Sequence, residues 1–315
     1  MNSYTIAFDV GGLFIKSAVL NSTGEVCSDS FAIFPAKSKD TKENIIENLV
    51  YLIQQQANRI LDKDFKIAGV GYAFPGPFDY VNGISYIKDV DKFEDLYGVN
   101  LRVEIENRLK KIPSIRSKMN EHFPIVFDND ANLFSLGEQM AGKARNYQRS
   151  VCITIGTGAG SGYLENGRLV TSHHAVPENG WIYNQQFGGS VVDEYISKRG
   201  ILRIAEELGV PVPDKEVKTL AEMAHRNHPN AQEVFRRFGN NIGSVINQYV
   251  LPFQPDGVIL GGQIAKSKDL FIHGIYETLQ KKSLLIERSD DTSLSTFVGV
   301  ANLLQQTMEA KDCIS

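Results

Sequence analysis

The alternation of apolar and polar positions predicts β-structure for the first thirty-five residues. Tyr4 to Phe8 reads as a strand, Gly11-Gly12 as a tight turn and Leu13 to Leu20 as a second strand. Asn21-Ser22-Thr23-Gly24 makes another turn, and Glu25 to Phe34 reads as a third strand. The period then changes. From Lys42 to Leu61, apolar residues at Ile45, Ile46, Leu49, Val50, Leu52, Ile53 and Ile60 follow helical spacing. Ala68 to Phe74 is expected to be a buried strand closed by Pro75-Gly76-Pro77. A polar loop from Asp79 to Gly98 and a helix from Leu101 to about Lys111 follow. Pro124 to Phe127 reads as a strand running into Asp128-Asn129-Asp130 and a helix through Met140.

The second half opens as the first does. Val151 to Ile155 is a strand, 156–162 a glycine-rich turn, Tyr163-Leu164 the return, and Glu165-Asn166-Gly167 the turn before Arg168-Leu169-Val170. Helices dominate from Val191 to Leu251, with Val234, Phe235, Phe238, Ile242, Val245, Ile246 and Tyr249 on one face. Asp256 to Leu260 is a buried strand ending at Gly261-Gly262-Gln263, and two weaker helices close the chain. The two openings begin at Tyr4 and Val151, about 147 residues apart, a repeat of half-chain length. They imply an α/β protein of two related lobes, each starting with a hairpin, with a cleft between them.

Length agrees with that division, since 315 residues at roughly 100–200 per domain make two domains. The formal charge is −4, without the basic excess of a nucleic-acid-binding surface. With 42% hydrophobic and 22% charged residues, the chain has material for a core and is not disordered. Cys27, Cys152 and Cys313 lie far apart and in no CxxC pair, which argues against a disulfide framework or a cysteine-based zinc site. The N-terminus meets Asp9 before any long apolar run, so no signal peptide is expected. No stretch approaches ~18 uninterrupted apolar residues, so the expectation is a soluble cytoplasmic protein.

The candidate chemistry begins with the glycine turns. Asp9-Val10-Gly11-Gly12-Leu13 and Gly156-Thr157-Gly158-Ala159-Gly160-Ser161-Gly162 would expose backbone N–H groups and let a phosphate approach without Cβ interference. Neither fits a Walker loop or a dinucleotide fingerprint, and either alone could be an ordinary hairpin. A third glycine pair, Gly261-Gly262 after a buried strand, favours phosphate binding. Asn129-Asp130-Ala131-Asn132 stands at a strand-to-helix junction, where a carboxylate can be a helix cap or a general base. His173 and His174, adjacent in a loop, have poor ligand spacing and read as ordinary loop residues. Glu178-Asn179-Gly180-Trp181 follows them. Pro75-Gly76-Pro77-Phe78-Asp79 is a rigid turn or a ligand-contacting loop.

Taken in order, these segments resemble the ROK family (repressors, open reading frames and sugar kinases) of the hexokinase–actin–Hsp70 ATPase superfamily. The resemblance is carried by Asp9-Val10-Gly11-Gly12 with Ile15-Lys16, Gly69-Val70-Gly71, Pro75-Gly76-Pro77-Phe78-Asp79 with Gly83, and Asn129-Asp130-Ala131-Asn132 with Gly137-Glu138. Thr154-Ile155-Gly156-Thr157-Gly158-Ala159-Gly160 with Asn166-Gly167, then Glu178-x-Gly180 and Leu260-Gly261-Gly262, complete it. It spans residues 4 to 301. It implies two ribonuclease-H-like, actin-like ATPase lobes: a small one over 1–122, joined by a C-terminal helix at about 297–315, and a large one over 123–296. It also implies transfer of the γ-phosphoryl of ATP-Mg²⁺ to a hydroxyl of a hexose or amino sugar of the glucose, mannose or N-acetylhexosamine type, by a cytoplasmic homodimer. By the same resemblance Asp130 is the catalytic base, Asn129 and Glu178 bind sugar hydroxyls, and Gly76 lies beside the sugar. Asp9 acts through Mg²⁺ and its waters. Gly11, Gly12, Lys16, Gly156, Thr157, Gly158 and Gly160 hold phosphates, and Gly261 and Gly262 flank the nucleotide.

The departures from the family pattern are specific. Leu13 replaces a common Thr, and Trp181 stands where many members carry a zinc-binding His. The CxCGxxGCxE segment is absent, replaced by Tyr183 to Tyr195, in which Asp193 falls where the family's second sugar-binding Glu stands. A zinc-free branch is expected, with Trp181 beside the sugar or filling the space of the missing module. The alternatives are a sugar-binding protein without turnover and a regulator. A DNA-binding repressor is disfavoured, because its helix-turn-helix would precede the strand that here starts at Tyr4.

Overall fold

The computed structural model describes residues 2–120 and 123–312. Residues 121 and 122, Cys313 and the last residues of the expected closing helix lie outside them. The chain forms two compact units, one reaching to Met140 and resuming at Ser293, the other running from Ala141 to Thr292.

The first unit contains β1 (Asn2–Val10), β2 (Phe14–Leu20), β3 (Ala32–Pro35), α1 (Lys42–Ala57), β4 (Phe65–Ala73), β5 (Phe78–Asp79) and β6 (Ile84–Ser85). It continues with α2 (Leu101–Leu109), α3 (Pro113–Arg116), β7 (Ile125–Asp128) and α4 (Asp130–Met140). The second unit contains β8 (Arg149–Ile155), β9 (Ala159–Glu165), β10 (Arg168–Leu169), β11 (Gln186–Phe187), β12 (Ser190–Val191), α5 (Lys198–Glu207), α6 (Val217–His225) and α7 (Pro229–Val245). After β13 (Gly257–Gly261), α8 (Lys268–Thr278) and β14 (Leu285–Arg288), α9 (Thr292–Asp312) carries the chain back into the first unit.

The two main sheets have the same topology, β3-β2-β1-β4-β7 and β10-β9-β8-β13-β14. In each, the first three strands form an antiparallel meander, and the opening strand pairs in parallel with one that follows a helix. The half-chain repeat is therefore a repeat of fold. β14 lay outside the expectation, since only four residues carry it and they pair at an edge.

The expected third strand shrinks to Ala32–Pro35 for a local reason. Buried Ser30 takes the ladder's place: its Oγ accepts from Val19 N–H at 3.1 Å, while Cys27 N–H donates to Val19 O at 2.8 Å. The first unit runs past the expected boundary at 122 to Met140. β7 adds to its sheet beside β4, and α4 packs on α9 through glycines that permit backbone contact. A Cβ on Gly137 would stand 1.7 Å from Ser295 O, and one on Gly299 1.8 Å from Leu133 O. Ser295 Oγ donates to the buried Glu138 carboxylate at 2.7 Å across the same contact. Each sheet has its own apolar core. Phe8, Tyr72 and Phe127 stack across β1, β4 and β7 in the first unit, and Val234, Phe235, Phe238 and Ile242 of α7 fill the second. Among the described residues no helix is long and apolar enough to cross a membrane.

Candidate active site

In the first unit, strand register brings charge to one edge. Lys16 pairs with Asp9, Asp9 with Ala73 and Ala73 with Asp128, so four side chains share one row near the C-terminal ends of β1, β4 and β7. Residues in register share a face, and Ala73 leaves space between the two carboxylates. Lys16 Nζ lies 3.2 Å from Asp9 Oδ2 and donates to Ser293 Oγ at 3.0 Å. The turn beyond is closed by Gly11 N–H donating to Phe14 O at 3.0 Å, and a Cβ on Gly11 would press that oxygen at 2.9 Å. Leu13, in place of a threonine, points into solvent.

At the opposite end of the row β7 gives way to α4. Asn129 caps the helix, its Oδ1 accepting from Ala131 N–H at 2.9 Å. Its side-chain amide nitrogen has no partner among the described residues. Asp128 Oδ1 accepts from Asn129 N–H at 2.7 Å and from Asn132 Nδ2 at 2.9 Å, which fixes the turn. Burial pushes the Asp128 pKa up against these bonds. Asp130 presents an exposed surface, yet protein around its carboxyl desolvates it and the charge of Asp9 repels its ionised form. Its pKa accordingly stands above the ordinary aspartate value, opposed by the Ala131 N–H and the charge of Lys92. Gly76 lies in a loop held by Tyr80, whose hydroxyl donates to Phe74 O at 3.0 Å. Arg102 ties the same loop down by donating to the carbonyls of Ile125 at 2.9 Å and Val81 at 2.7 Å.

The corresponding row of the second unit carries no charge. Gly160, Thr154 and Gly261 stand in register there. Gly156 N–H donates to Gly158 O at 2.9 Å, and Gly156 O accepts from Lys198 N–H, also at 2.9 Å, placing the turn against the start of α5. A Cβ on Gly156 would meet nothing closer than 3.9 Å, while Thr157 and Gly158 are exposed. Gly262 is required by its φ of +88°, and a Cβ there would strike Ile155 O at 2.3 Å. Its N–H donates to Thr292 Oγ1 at 2.9 Å.

The Asp193 carboxylate is engaged within its own unit. Its Oδ1 accepts from Ala159 N–H at 2.6 Å, its Oδ2 pairs with Arg199, and it sits 3.1 Å from where a Gly158 Cβ would be. The Glu178 loop is fixed separately. Ser161 Oγ donates to Gly180 O at 2.6 Å and accepts from Ile182 N–H at 3.0 Å, pinning the loop to β9. Glu178 is exposed and Asn179 adopts a left-handed φ of 58°. The Trp181 indole lies 6.0 Å from the Tyr183 ring, and its Nε1–H is buried without a partner among the described residues. His173 Nδ1 accepts from Ala175 N–H at 3.1 Å, an ordinary loop contact. Among the described residues no three His, Cys, Asp or Glu side chains gather as a metal cluster.

Sequence reasoning missed Lys92, Ser161 and Arg199. Arg199, six positions after Asp193 near the start of a helix, carried a charge-pattern signal. Lys92 and Ser161 carried none, because their surroundings, the Gly12 turn for Lys92 and Gly180 and Ile182 for Ser161, lie far away in sequence.

An α/β unit repeated in one chain, with an acidic edge in one copy and glycine turns in both, belongs to the sugar kinase–actin class of fold. Residues 5–293 match the model of the ROK family, and the chain belongs to that family. It is 24% identical to a glucokinase of Halalkalibacterium halodurans over 89% of this chain and 86% of that protein. It is also 22% identical to a xylose repressor of Bacillus subtilis, over 86% of this chain and 67% of the repressor. A ROK family glucokinase from Streptomyces griseus, solved with glucose and AMPPNP, superposes with a TM-score of 0.73 at 20% identity, covering 96% and 99% of the two chains.

Proposed function

We propose that this protein is an ATP-dependent kinase that phosphorylates a hydroxyl of a hexose or amino sugar. One observation carries the reading: Lys16, Asp9 and Asp128 stand in one strand register, leading into the Asn129-Asp130 turn, at the edge where the Gly11-Gly12 turn also stands. The kinases among the relatives act on related sugars, and the solved glucokinase held glucose and an ATP analogue.

Asp130 accepts the proton of the attacking sugar hydroxyl. The oxygen forms a bond to the γ-phosphorus, the bond from that phosphorus to the bridging oxygen breaks, and ADP leaves. The raised pKa of Asp130 suits a group that must take a proton and later release it. Asn129, anchored by its carbonyl oxygen to the helix, offers its free amide N–H groups to a sugar oxygen. Glu178 and the Trp181 indole N–H supply further sugar contacts. Gly11, Gly12, Gly156 and Gly158 hold phosphate oxygens through backbone N–H groups, and Gly261-Gly262 flank the nucleotide. Asp9 and Asp130 are hard oxygen donors of the kind Mg²⁺ takes while keeping several waters, and Asp9 would hold that hydrated ion. Bound there with the nucleotide, Mg²⁺ would neutralise phosphate charge.

A coupled ADP-release assay across a sugar panel tests the proposal. ADP release that depends on one or a few hexoses, abolished by Asp130→Asn, is the expected result. Saturable sugar binding without ADP release from any sugar would favour the regulatory reading that the xylose repressor raises.

A further inference from the structure

Beyond the two turns and the acidic edge, one cation stands over the phosphate-facing glycines of the first unit. A Cβ on Gly12 would lie 3.0 Å from Lys92 Cδ and 3.8 Å from Lys92 Cβ, so the lysine stem runs directly across that glycine. The loop that carries it is bolted to the same turn. Phe93 N–H donates to Ser38 O at 2.6 Å, and Ser38 Oγ donates to Gly12 O at 2.5 Å. Phe93 is fully buried with a φ of 57°, its ring 5.3 Å from Phe74. A bulky residue stays left-handed only where its surroundings dictate it. Glu94 Oε1 accepts from Val90 and Asp91 N–H at 2.8 and 2.7 Å, and Lys39 pairs with Asp91.

Ser38, Asp91, Phe93 and Glu94 are thus engaged, whereas Lys92 makes no such bond among the described residues. No carboxylate among the described residues lies within ion-pair reach of it, whereas Lys16 is held by Asp9. The N–H groups of Gly12 and Leu13 likewise donate to no oxygen among the described residues. A partly buried lysine whose stem crosses Gly12, next to a turn with two unused N–H groups, is suited to an anion that could accept from both the ammonium and the backbone.

We propose that Lys92 binds the γ-phosphoryl group of the nucleotide, as a catalytic cation separate from Lys16. This rests on the kinase reading above. Its position fits that role, because its charge also reaches Asp130, where the acceptor hydroxyl is deprotonated. A group that meets the γ-phosphoryl distinguishes a triphosphate from a diphosphate, and that difference is measurable without turnover.

Titration calorimetry of the full chain with Mg-AMPPNP and with Mg-ADP reads it directly. Lys92→Met is expected to weaken AMPPNP by about 10-fold or more while ADP changes by less than about 3-fold, and Lys92→Arg to restore most of the loss. Turnover of Lys92→Met should fall about 10²-fold. Lys92→Gln, which keeps much of the stem, gives the same comparison if Lys92→Met melts early. Equal losses for both nucleotides, no loss for either, or no nucleotide binding by the wild-type protein would overturn the proposal. So would a displaced acid limb of the rate profile with unchanged AMPPNP affinity, which would leave Lys92 only a tuner of Asp130. If the wild-type protein phosphorylates no sugar yet shows the AMPPNP-specific loss, the kinase reading fails and the Lys92 site stands.

Discussion

The same sheet topology is used for opposite purposes in the two units. Where the first unit has the row Lys16–Asp9–Ala73–Asp128, the second has Gly160–Thr154–Gly261. The first edge is charged: burial, and after it the charge of Asp9, raises the Asp130 pKa, and Lys16 pairs with Asp9. The second works by backbone, its turn shaped by contacts with Asp193, Lys198 and Ile155. A single fold can separate these tasks because register sets which side chains reach the strand ends, while turn length and glycine content set whether N–H groups face outward. Substitutions in the first unit should therefore change rate more than stability, and those in the second should change shape and nucleotide affinity.

The largest effect is expected at Asp130. Asp130→Asn should lower kcat by about 10²–10⁴-fold, measured by ADP release. Stability should move the other way. A carboxyl whose folded pKa is raised contributes stability that is complete below its unfolded value near 3.8 and is lost as pH rises through the folded pKa. At neutral pH the ionised Asp130 is thus unfavourable to the fold, and the Asn variant should melt no lower than wild type. Its amide oxygen can still accept from Ala131 N–H, and Asn129 caps the helix regardless. Near-wild-type turnover with a melting point lower by several degrees would make Asp130 a cap and erase the contrast between the edges. The wild-type kcat profile should show its acid limb above the ordinary aspartate range.

Next is the backbone edge. Gly262→Ala places a Cβ at 2.3 Å from Ile155 O in a left-handed turn, and should destabilise the second unit by about 2–4 kcal/mol. Chemical denaturation reads this, and a change below about 0.5 kcal/mol would show that the turn is not fixed by its glycine.

A smaller effect is expected where charge does enter the second unit. Asp193→Asn keeps an acceptor for Ala159 N–H but loses the carboxylate that pairs with Arg199. The pair is only partly buried, so the stability change should stay within about 1 kcal/mol. The turn shaped by that carboxylate should loosen, and the KM for ATP should rise by several-fold with the sugar KM unchanged. A rise confined to the sugar KM would return Asp193 to the sugar side and weaken the division between the units.

Much of this was legible in the chain, for a physical reason. Alternation exposes strands, and a repeated strand–glycine–strand opening exposes the duplicated sheet, since both are local patterns. Ser30 shortened the third strand by one side-chain hydrogen bond that no periodicity records. The Asn129-Asp130 turn was legible because its residue types are few and adjacent. Lys92 was not, lying in a polar loop whose meaning comes from Ser38 and Gly12, residues far away in sequence. Asp193 was read by position, and its partners lie on a glycine turn and a helix that position does not reveal.

The smallest effect, and the finest test of the contrast, is at Trp181. The loop that carries it is held by the Ser161 hydroxyl, which donates to Gly180 O and accepts from Ile182 N–H, and this places the indole. Its Nε1–H, however, is buried with no partner among the described residues, a state that costs about 1–3 kcal/mol unless a ligand accepts the bond. Trp181→Phe removes that donor and keeps an aromatic ring, so the lost packing is partly offset and the melting point should change little. A sugar oxygen that accepts from Nε1 would lose one hydrogen bond, worth about 0.5–1.5 kcal/mol, or roughly 2- to 13-fold in sugar KM. As the only tryptophan, Trp181 also reports for itself, and its fluorescence should saturate with the sugar that the enzyme phosphorylates. A flat titration with that sugar, together with a lower melting point and an unchanged KM, would make the indole a packing residue. The second unit would then meet its sugar without this side chain.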